Sequence, residues 1–186
     1  MNINLLTLSF DDALEAQFRQ DYLDKTIGQV RLSLALAIVF YSLFGILDAE
    51  LIPDQKEIIW AIRFGFFCPV ALLVLIMSFM DRFLRTIHFW IAAVEIAGGI
   101  GIISMTVIAP PPANYTYYAG LILVLFFGFT IFRLRFVLAS ITGWLIVILY
   151  QVAALSSDNP MIMVINNNFF LSAPILWECL PVTPEN

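Results

Sequence analysis

Three residues of this chain could form a polar site inside otherwise apolar segments. Glu95 is the one acid within a long apolar stretch, Arg63 lies near the start of another, and His88 is the only histidine. If these stretches lie in a bilayer, a charged carboxylate at the centre costs at least about 2.5–3.5 kcal/mol, so Glu95 should face protein or be protonated. The three residues define a candidate intramembrane polar site, which could bind a ligand or proton or be a structural polar contact.

Other kinds of chemistry have little support in the sequence. His88 could respond to pH near neutrality, or it could be a polar cap at the membrane edge. No second histidine or cysteine lies at the spacing of metal ligands. The glycine-rich "AGGIG" at 97–101 lies inside an apolar block without a preceding strand, unlike a nucleotide-binding loop. The sequence therefore predicts no catalytic residue, no metal and no cofactor, and the chain is not expected to be an enzyme.

The composition indicates a membrane protein. Of the 186 residues, 61% are hydrophobic and 12% are charged, whereas soluble domains average about 45–50% apolar and about 25% charged residues. The excess is concentrated in segments that are apolar all round, as expected for helices surrounded by lipid. The predicted fold is an all-α, polytopic transmembrane helix bundle of about six spans.

The six predicted spans follow from the apolar blocks, and the sixth is atypical because it fades towards its end. The blocks are 32–47, 58–80, 87–109, 115–132, 136–155 and about 161–177. The corresponding domain organisation is an N-terminal cytoplasmic segment at 1–28, a transmembrane domain at 29–177 and a short cytoplasmic tail at 178–186.

The N-terminal segment has the pattern of an amphipathic helix. Phe10, Leu14, Phe18 and Tyr22 recur every four residues, with acids between them. This pattern predicts a helix at the cytoplasmic surface or against a partner.

Lysine and arginine residues predict the orientation. With six spans, seven of them lie on the side of the two termini, and two lie on the other side. The positive-inside rule then places both termini in the cytoplasm, in an inner, plasma or thylakoid membrane. The net charge of −5 arises from the tails and the first loop and predicts no nucleic-acid partner. The seven are Arg19, Lys25, Arg31, Arg82, Arg85, Arg133 and Arg135, and the two are Lys56 and Arg63.

The third block carries a candidate helix-packing face. Ala93, Ala97 and Gly101 are spaced four apart, a small-residue pattern that lets two helices approach closely. The contact could lie within the bundle or between protomers. The expected partners are the lipid bilayer and either a second copy of the chain or another membrane protein.

A resemblance to a known module adds a functional hypothesis. The segment "APPPANYTYYAGLILVLFFGFTIFRLRF" combines a proline corner, "YYAG" at 117–120 and "RLRF" at 133–136, and "INNNFF" follows later. With "RLSLALAIVFYSLFGILD", it resembles the six-helix membrane domain that precedes the catalytic domain of bacterial and cyanobacterial class III adenylate and guanylate cyclases, and sometimes diguanylate cyclase domains. The resemblance covers roughly 18–170.

Two functions remain open at this point. In the resembled proteins the sixth helix continues into a coiled coil and a cyclase, whereas Phe170 is here followed by "LSAPILWECLPVTPEN". Pro174 and Pro181 are expected to break a helix there. The resemblance implies a non-catalytic sensor or regulatory module that acts through protein–protein contact. The alternative is a small accessory subunit of a larger membrane complex, such as a thylakoid assembly.

Overall fold

The structure is a computed structural model, and it describes residues 12–80, 83, 86–132, 134, 136–157 and 159–178. Every regular element within these residues is helical. Several sequence predictions fall on residues or side chains outside this description and are not tested by it. They concern Phe10, Leu14, Phe18, Arg19, Tyr22, Lys25, Arg82, Arg85, Arg133, Arg135 and Pro181.

Six helices follow one another in the described part of the chain, and the last five match the predicted blocks to within a few residues. Five of the helices are long and apolar enough to cross a membrane, which indicates a membrane protein. The apolar part of the sixth, Met161–Ala173, is shorter. The helices are α1 (Asp12–Leu51), α2 (Lys56–Ile62, Arg63–Phe67 and Cys68–Met77), α3 (Ile87–Ile108), α4 (Tyr118–Phe126 and Phe127–Ile131), α5 (Phe136–Ser156) and α6 (Met161–Glu178).

The first helix is longer than the first apolar block. α1 is continuous from Asp12 to Leu51, and its apolar, membrane-length part is Ile27–Leu51. The predicted boundary between a surface segment and the transmembrane domain at residue 28 therefore lies inside one helix. The helical backbone continues across this point, because no proline or pair of glycines interrupts the chain there.

The third helix is the centre of the bundle. In its membrane-length window 67% of residues are buried, against 22% to 39% in the other four candidate spans. It packs against α2, α4 and α5. Small residues permit this close packing: a Cβ atom at Gly99 would lie 2.8 Å from Ile146 of α5.

Two of the three residues of the predicted packing face point into this bundle. Ala97 and Gly101 are buried, whereas Ala93 is exposed. A Cβ atom at Gly101 would lie 2.5 Å from the hydroxyl oxygen of Tyr41, so the absence of a side chain at this position leaves room for the end of the Tyr41 side chain of α1. The small residues of α3 therefore serve contacts within the chain at these two positions.

Two of the described helices contain a π-helical turn. In α2 it covers Arg63–Phe67, and in α4 it covers Phe127–Ile131. In α4 the widened turn is visible in the bond from the Phe132 amide to the Phe127 carbonyl, at 2.8 Å. Such turns are rare and often occur at functional sites. The turn in α2 includes the buried Arg63, and the turn in α4 lies against the buried Glu95.

Two sequence expectations about helix ends are wrong. The first predicted block ends at 47, which puts Asp48 and Glu50 in the first loop, but they lie in the last turns of α1, because α1 continues to Leu51. The break expected at Pro174 does not occur either, since α6 runs from Met161 to Glu178. A proline inside a membrane helix removes one backbone bond, and neighbouring groups can compensate for that loss.

Candidate functional site

A cavity of about 240 Å³ lies between α1 and α4. One face of α3 also lines the cavity, as do Arg63 and Phe67 of α2. Most lining residues are apolar, and the polar groups are concentrated at a few positions. These polar residues are Tyr41, Asp48, Arg63, Glu95, Thr116 and Tyr117.

A buried ion pair forms one end of the cavity. Arg63 Nη2 lies 2.7 Å from Asp48 Oδ2, and Arg63 Nε donates to the same oxygen at 2.8 Å. Both side chains are 4% exposed. The α1–α2 connection is short, so the last turns of α1 and the second turn of α2 lie side by side. The short connection thus brings two opposite charges into contact.

Both charges of this pair have further partners. The Tyr117 hydroxyl donates to Asp48 Oδ1 at 2.9 Å, so each carboxylate oxygen accepts a hydrogen bond. Arg63 Nη1 donates to the backbone carbonyl of Tyr41 at 2.8 Å, and its guanidinium carbon lies 4.7 Å from the centre of the Tyr41 ring. That ring stacks on Phe67 at 3.8 Å. A buried ion pair is stable only when its remaining hydrogen-bonding groups are satisfied, and this one meets that condition.

Glu95 lies further along the same cavity and has fewer partners. It is 1% exposed. Its Oε2 atom lies 2.7 Å from the Thr142 hydroxyl of α5, whereas its Oε1 atom has no hydrogen-bond partner in the described structure. A buried polar atom without a partner costs about 1–3 kcal/mol, so this oxygen is an exception that needs an explanation.

Gly128 makes room for the Glu95 carboxyl. A Cβ atom at Gly128 would overlap the carboxyl group of Glu95. Gly128 belongs to the π-helical turn of α4, and it is buried. The missing side chain and the widened turn together form the recess in which the carboxyl lies.

The cavity is open sideways between α1 and α4. Three lining residues of α1, Phe40, Phe44 and Leu47, are between 39% and 51% exposed. The opening is bounded at one end by the bond between Tyr117 and Asp48. At the other end the Ser33 hydroxyl donates to the Ile131 carbonyl of α4 at 3.0 Å. In a membrane this opening would face the acyl chains of the lipids.

The structure brings together two of the three residues of the predicted polar site. Glu95 and Arg63 both line the cavity, but they bind different partners. His88 lies in the first turn of α3 and is not one of the residues that line the cavity.

Sequence reasoning missed several residues of the site. Asp48 had a usable signal, because Asp48 and Arg63 carry opposite charges and flank the same short loop. Tyr117 belongs to the "YYAG" motif at 117–120, but the sequence does not indicate a partner for its hydroxyl. Thr142 and Gly128 lie in apolar helices, and the sequence carries no signal that distinguishes them from the other threonines and glycines there.

A second polar region joins α5 and α6. Asn167 donates to the Tyr150 hydroxyl at 2.8 Å, and Gln151 bonds to Asn168. Asn114 donates to Asn159 at 3.0 Å nearby. Two of the three consecutive asparagines of α6 therefore face protein, which is where their polarity is tolerated in a membrane.

Comparison with protein-family models, curated proteins and solved structures found no match. The function is therefore inferred from the fold and the cavity. These describe a helical membrane protein with a lateral cavity among its first four membrane-length helices. In the part of the chain that the structure describes, no group of three or more His, Cys, Asp or Glu residues could hold a metal ion.

Proposed function

We propose that this chain is a non-catalytic sensor or regulatory module of a membrane, similar in role to the membrane domains of nucleotide cyclases. Occupation of the cavity changes the contacts that the bundle makes with another membrane protein or with a second copy of itself. The observation that supports this function most is the combination of an apolar cavity, a lateral opening and one buried carboxyl oxygen without a partner. Apolar pockets with a few convergent polar groups are the usual form of a small-molecule site.

The cavity also lies where occupancy could alter the shape of the bundle. It lies between α1 and α4, which meet through one hydrogen bond at each of its ends and through the rings of Phe40 and Phe127. A ligand that pushes the two helices apart or draws them together would change the outer surface of both. A ligand can shift such an equilibrium only by its difference in affinity for the two arrangements.

A cavity-filling substitution tests this function without knowledge of the ligand. Ala37 lines the cavity and is 8% exposed, so Ala37→Leu would occupy part of it. Ala61 is exposed on α2, and Ala61→Leu adds the same side chain outside the cavity. Each tagged variant and the parent chain are captured from the native membrane in a mild detergent, and cyclic nucleotide production from ATP and GTP is measured in the captured material.

The expected result is cyclase activity that co-purifies with the chain and changes several-fold with Ala37→Leu but not with Ala61→Leu. Activity that is equal in all three preparations would contradict sensing by the cavity. Production of cyclic nucleotide by the chain purified to homogeneity would contradict a non-catalytic role. Recovery of one large membrane complex in fixed ratio, independent of both substitutions, would favour the accessory-subunit alternative instead.

The proposed orientation places both termini in the cytoplasm, from the seven-to-two distribution of lysine and arginine in a six-span topology. A reporter enzyme that is active only outside the cytoplasm, fused after Asn186, is then expected to be inactive. An active reporter at that position would place the C-terminus outside the cytoplasm and contradict this orientation.

A further inference from the structure

The position of Glu95 in α3 limits the kinds of molecule that can satisfy its free oxygen in the cavity. Glu95 follows Ile87 by eight residues, which corresponds to about 12 Å along the helix, and the hydrocarbon core of a bilayer is about 30 Å thick. Its carboxyl therefore lies well inside the apolar region. Phospholipids carry their hydrogen-bonding groups at the membrane surface, and their acyl chains carry none. A lipid tail in the cavity would leave Glu95 Oε1 without a partner.

The contacts of Thr142 indicate which kind of group Oε1 can receive. The Thr142 hydroxyl oxygen lies 2.7 Å from Glu95 Oε2, 3.1 Å from the Leu138 carbonyl and 3.0 Å from the Ala139 carbonyl. A hydroxyl group has one hydrogen and can accept other bonds. The hydroxyl can use its contact with Glu95 and one of its contacts with a carbonyl at the same time if an uncharged Glu95 donates from Oε2 to Thr142, and Thr142 donates to one of the carbonyls of α5. Oε1 is then a carbonyl oxygen, which accepts a hydrogen bond and cannot donate one.

The size of the cavity sets a second limit. A dry, apolar cavity of about 150 Å³ is large enough to bind benzene, and this cavity measures about 240 Å³. Aromatic residues on several sides, among them Phe44, Phe67 and Phe127, provide an apolar wall. A ring or short chain with a single small polar group therefore fits better than a lipid with a large headgroup.

From these observations we infer that the cavity binds a small, uncharged, apolar molecule with a hydroxyl group, and that this hydroxyl donates a hydrogen bond to Glu95 Oε1. The molecule enters from the lipid phase through the opening between α1 and α4. This inference rests on the proposed function, since it names the ligand class of the proposed sensory site. The ion pair of Asp48 and Arg63 closes one end of the site, and each of its carboxylate oxygens already accepts a hydrogen bond, unlike Glu95 Oε1.

A matched pair of fluorinated probes tests the inference. The probes are 4-(trifluoromethyl)phenol, which has a hydroxyl donor, and 4-(trifluoromethyl)anisole, in which a methyl group replaces the hydroxyl hydrogen. The full chain is placed in nanodiscs of a saturated phosphatidylcholine. Fluorine NMR then separates a protein-bound resonance from probe that is dissolved in the lipid, and empty nanodiscs provide the background.

For the parent chain we expect a bound resonance with the phenol and an affinity about tenfold higher than that of the anisole, the ratio that one satisfied hydrogen bond gives. Glu95→Gln retains a carbonyl acceptor and should retain most of this preference. Glu95→Leu has no acceptor and should bind the two probes equally. Ala37→Leu should weaken both probes, because its side chain occupies the cavity.

Three results would overturn the inference. They are the absence of a bound resonance with the phenol, equal affinity of the parent chain for both probes, and an unchanged preference in Glu95→Leu. The comparison of the two probes on the parent chain needs no substitution, so it remains decisive if a variant fails to fold.

The binding test and the partner test fail separately. If the phenol binds through Glu95 but the co-purified cyclase activity does not respond to Ala37→Leu, the ligand site is supported and the sensory function is overturned. A partner response to Ala37→Leu without any phenol binding would retain the function and overturn this ligand class.

Discussion

The two buried acids of the cavity, Asp48 and Glu95, differ in how completely their oxygens are bonded. Asp48 is 3% exposed and Glu95 is 1% exposed, so burial does not distinguish them. Asp48 has an arginine on one oxygen and a tyrosine hydroxyl on the other. Glu95 has a threonine hydroxyl on one oxygen and no partner on the other.

The comparison shows that burial of an acid does not by itself indicate a site for a ligand. The Asp48 group is complete within the chain, and its effect is to fix α1, α2 and α4 relative to one another. The Glu95 group is incomplete, and a further molecule could complete it. The following substitutions test this distinction between a structural group and a binding group.

The largest effect is expected when the ion pair loses its arginine. Arg63→Met leaves Asp48 buried without its counter-ion, and breaking a buried pair in this way costs about 3–5 kcal/mol. The free energy of unfolding, measured in detergent, should fall by this amount. The double variant Asp48→Leu with Arg63→Met removes both charges and should recover much of the loss. A loss below about 1 kcal/mol, the usual value of an exposed pair, would contradict the structural role of the pair.

Gly128 should tolerate a methyl group poorly. Gly128→Ala places a carbon where the Glu95 carboxyl lies, and overpacking of this kind costs about 1–3 kcal/mol. Gly65→Ala is a matched control, since Gly65 lies in the π-helical turn of α2 and a Cβ atom there would meet no atom within 4 Å. Combining Gly128→Ala with Glu95→Ala should restore stability. Equal melting temperatures of the two single glycine variants would contradict the recess around Glu95.

The hydroxyl of Tyr117 should contribute a smaller amount to the Asp48 group. Tyr117→Phe removes the donor to Asp48 Oδ1, and a hydrogen bond to a charged group is worth about 1.5–3 kcal/mol. The lower end is expected because Tyr117 is only half-buried. Tyr118→Phe on the following residue is the control, and it should change the melting temperature less than Tyr117→Phe does.

The smallest effect on stability is expected at Glu95. Glu95→Gln keeps hydrogen-bonding groups opposite Thr142 and should be tolerated, whereas Glu95→Leu loses them and should be less stable by about 1 kcal/mol. Thermal unfolding of the two variants measures the difference. Identical melting temperatures would show that the bond between Glu95 and Thr142 contributes nothing to folding.

The sequence alone determined the helices and the class of the protein. Apolar blocks of membrane length are a local property, and a chain in lipid must satisfy its backbone groups as a helix. For this reason block 87–109 was placed within one residue of α3, and block 136–155 within one residue of α5. The end of α1 was misplaced because charged residues such as Asp48 resemble a loop when their partners are unknown.

Only the tertiary structure decided which polar groups meet. Glu95 and Arg63 were recognisable as costly residues inside apolar helices, but their partners come from α5 and α1 and depend on how the helices are rotated. A shift of one residue turns a helix by about 100°, which moves a side chain from the cavity to the lipid. The sequence therefore predicted that Glu95 needs polar partners. The packing of α3 against α4 and α5 determined that only one of its two oxygens has a hydrogen-bond partner.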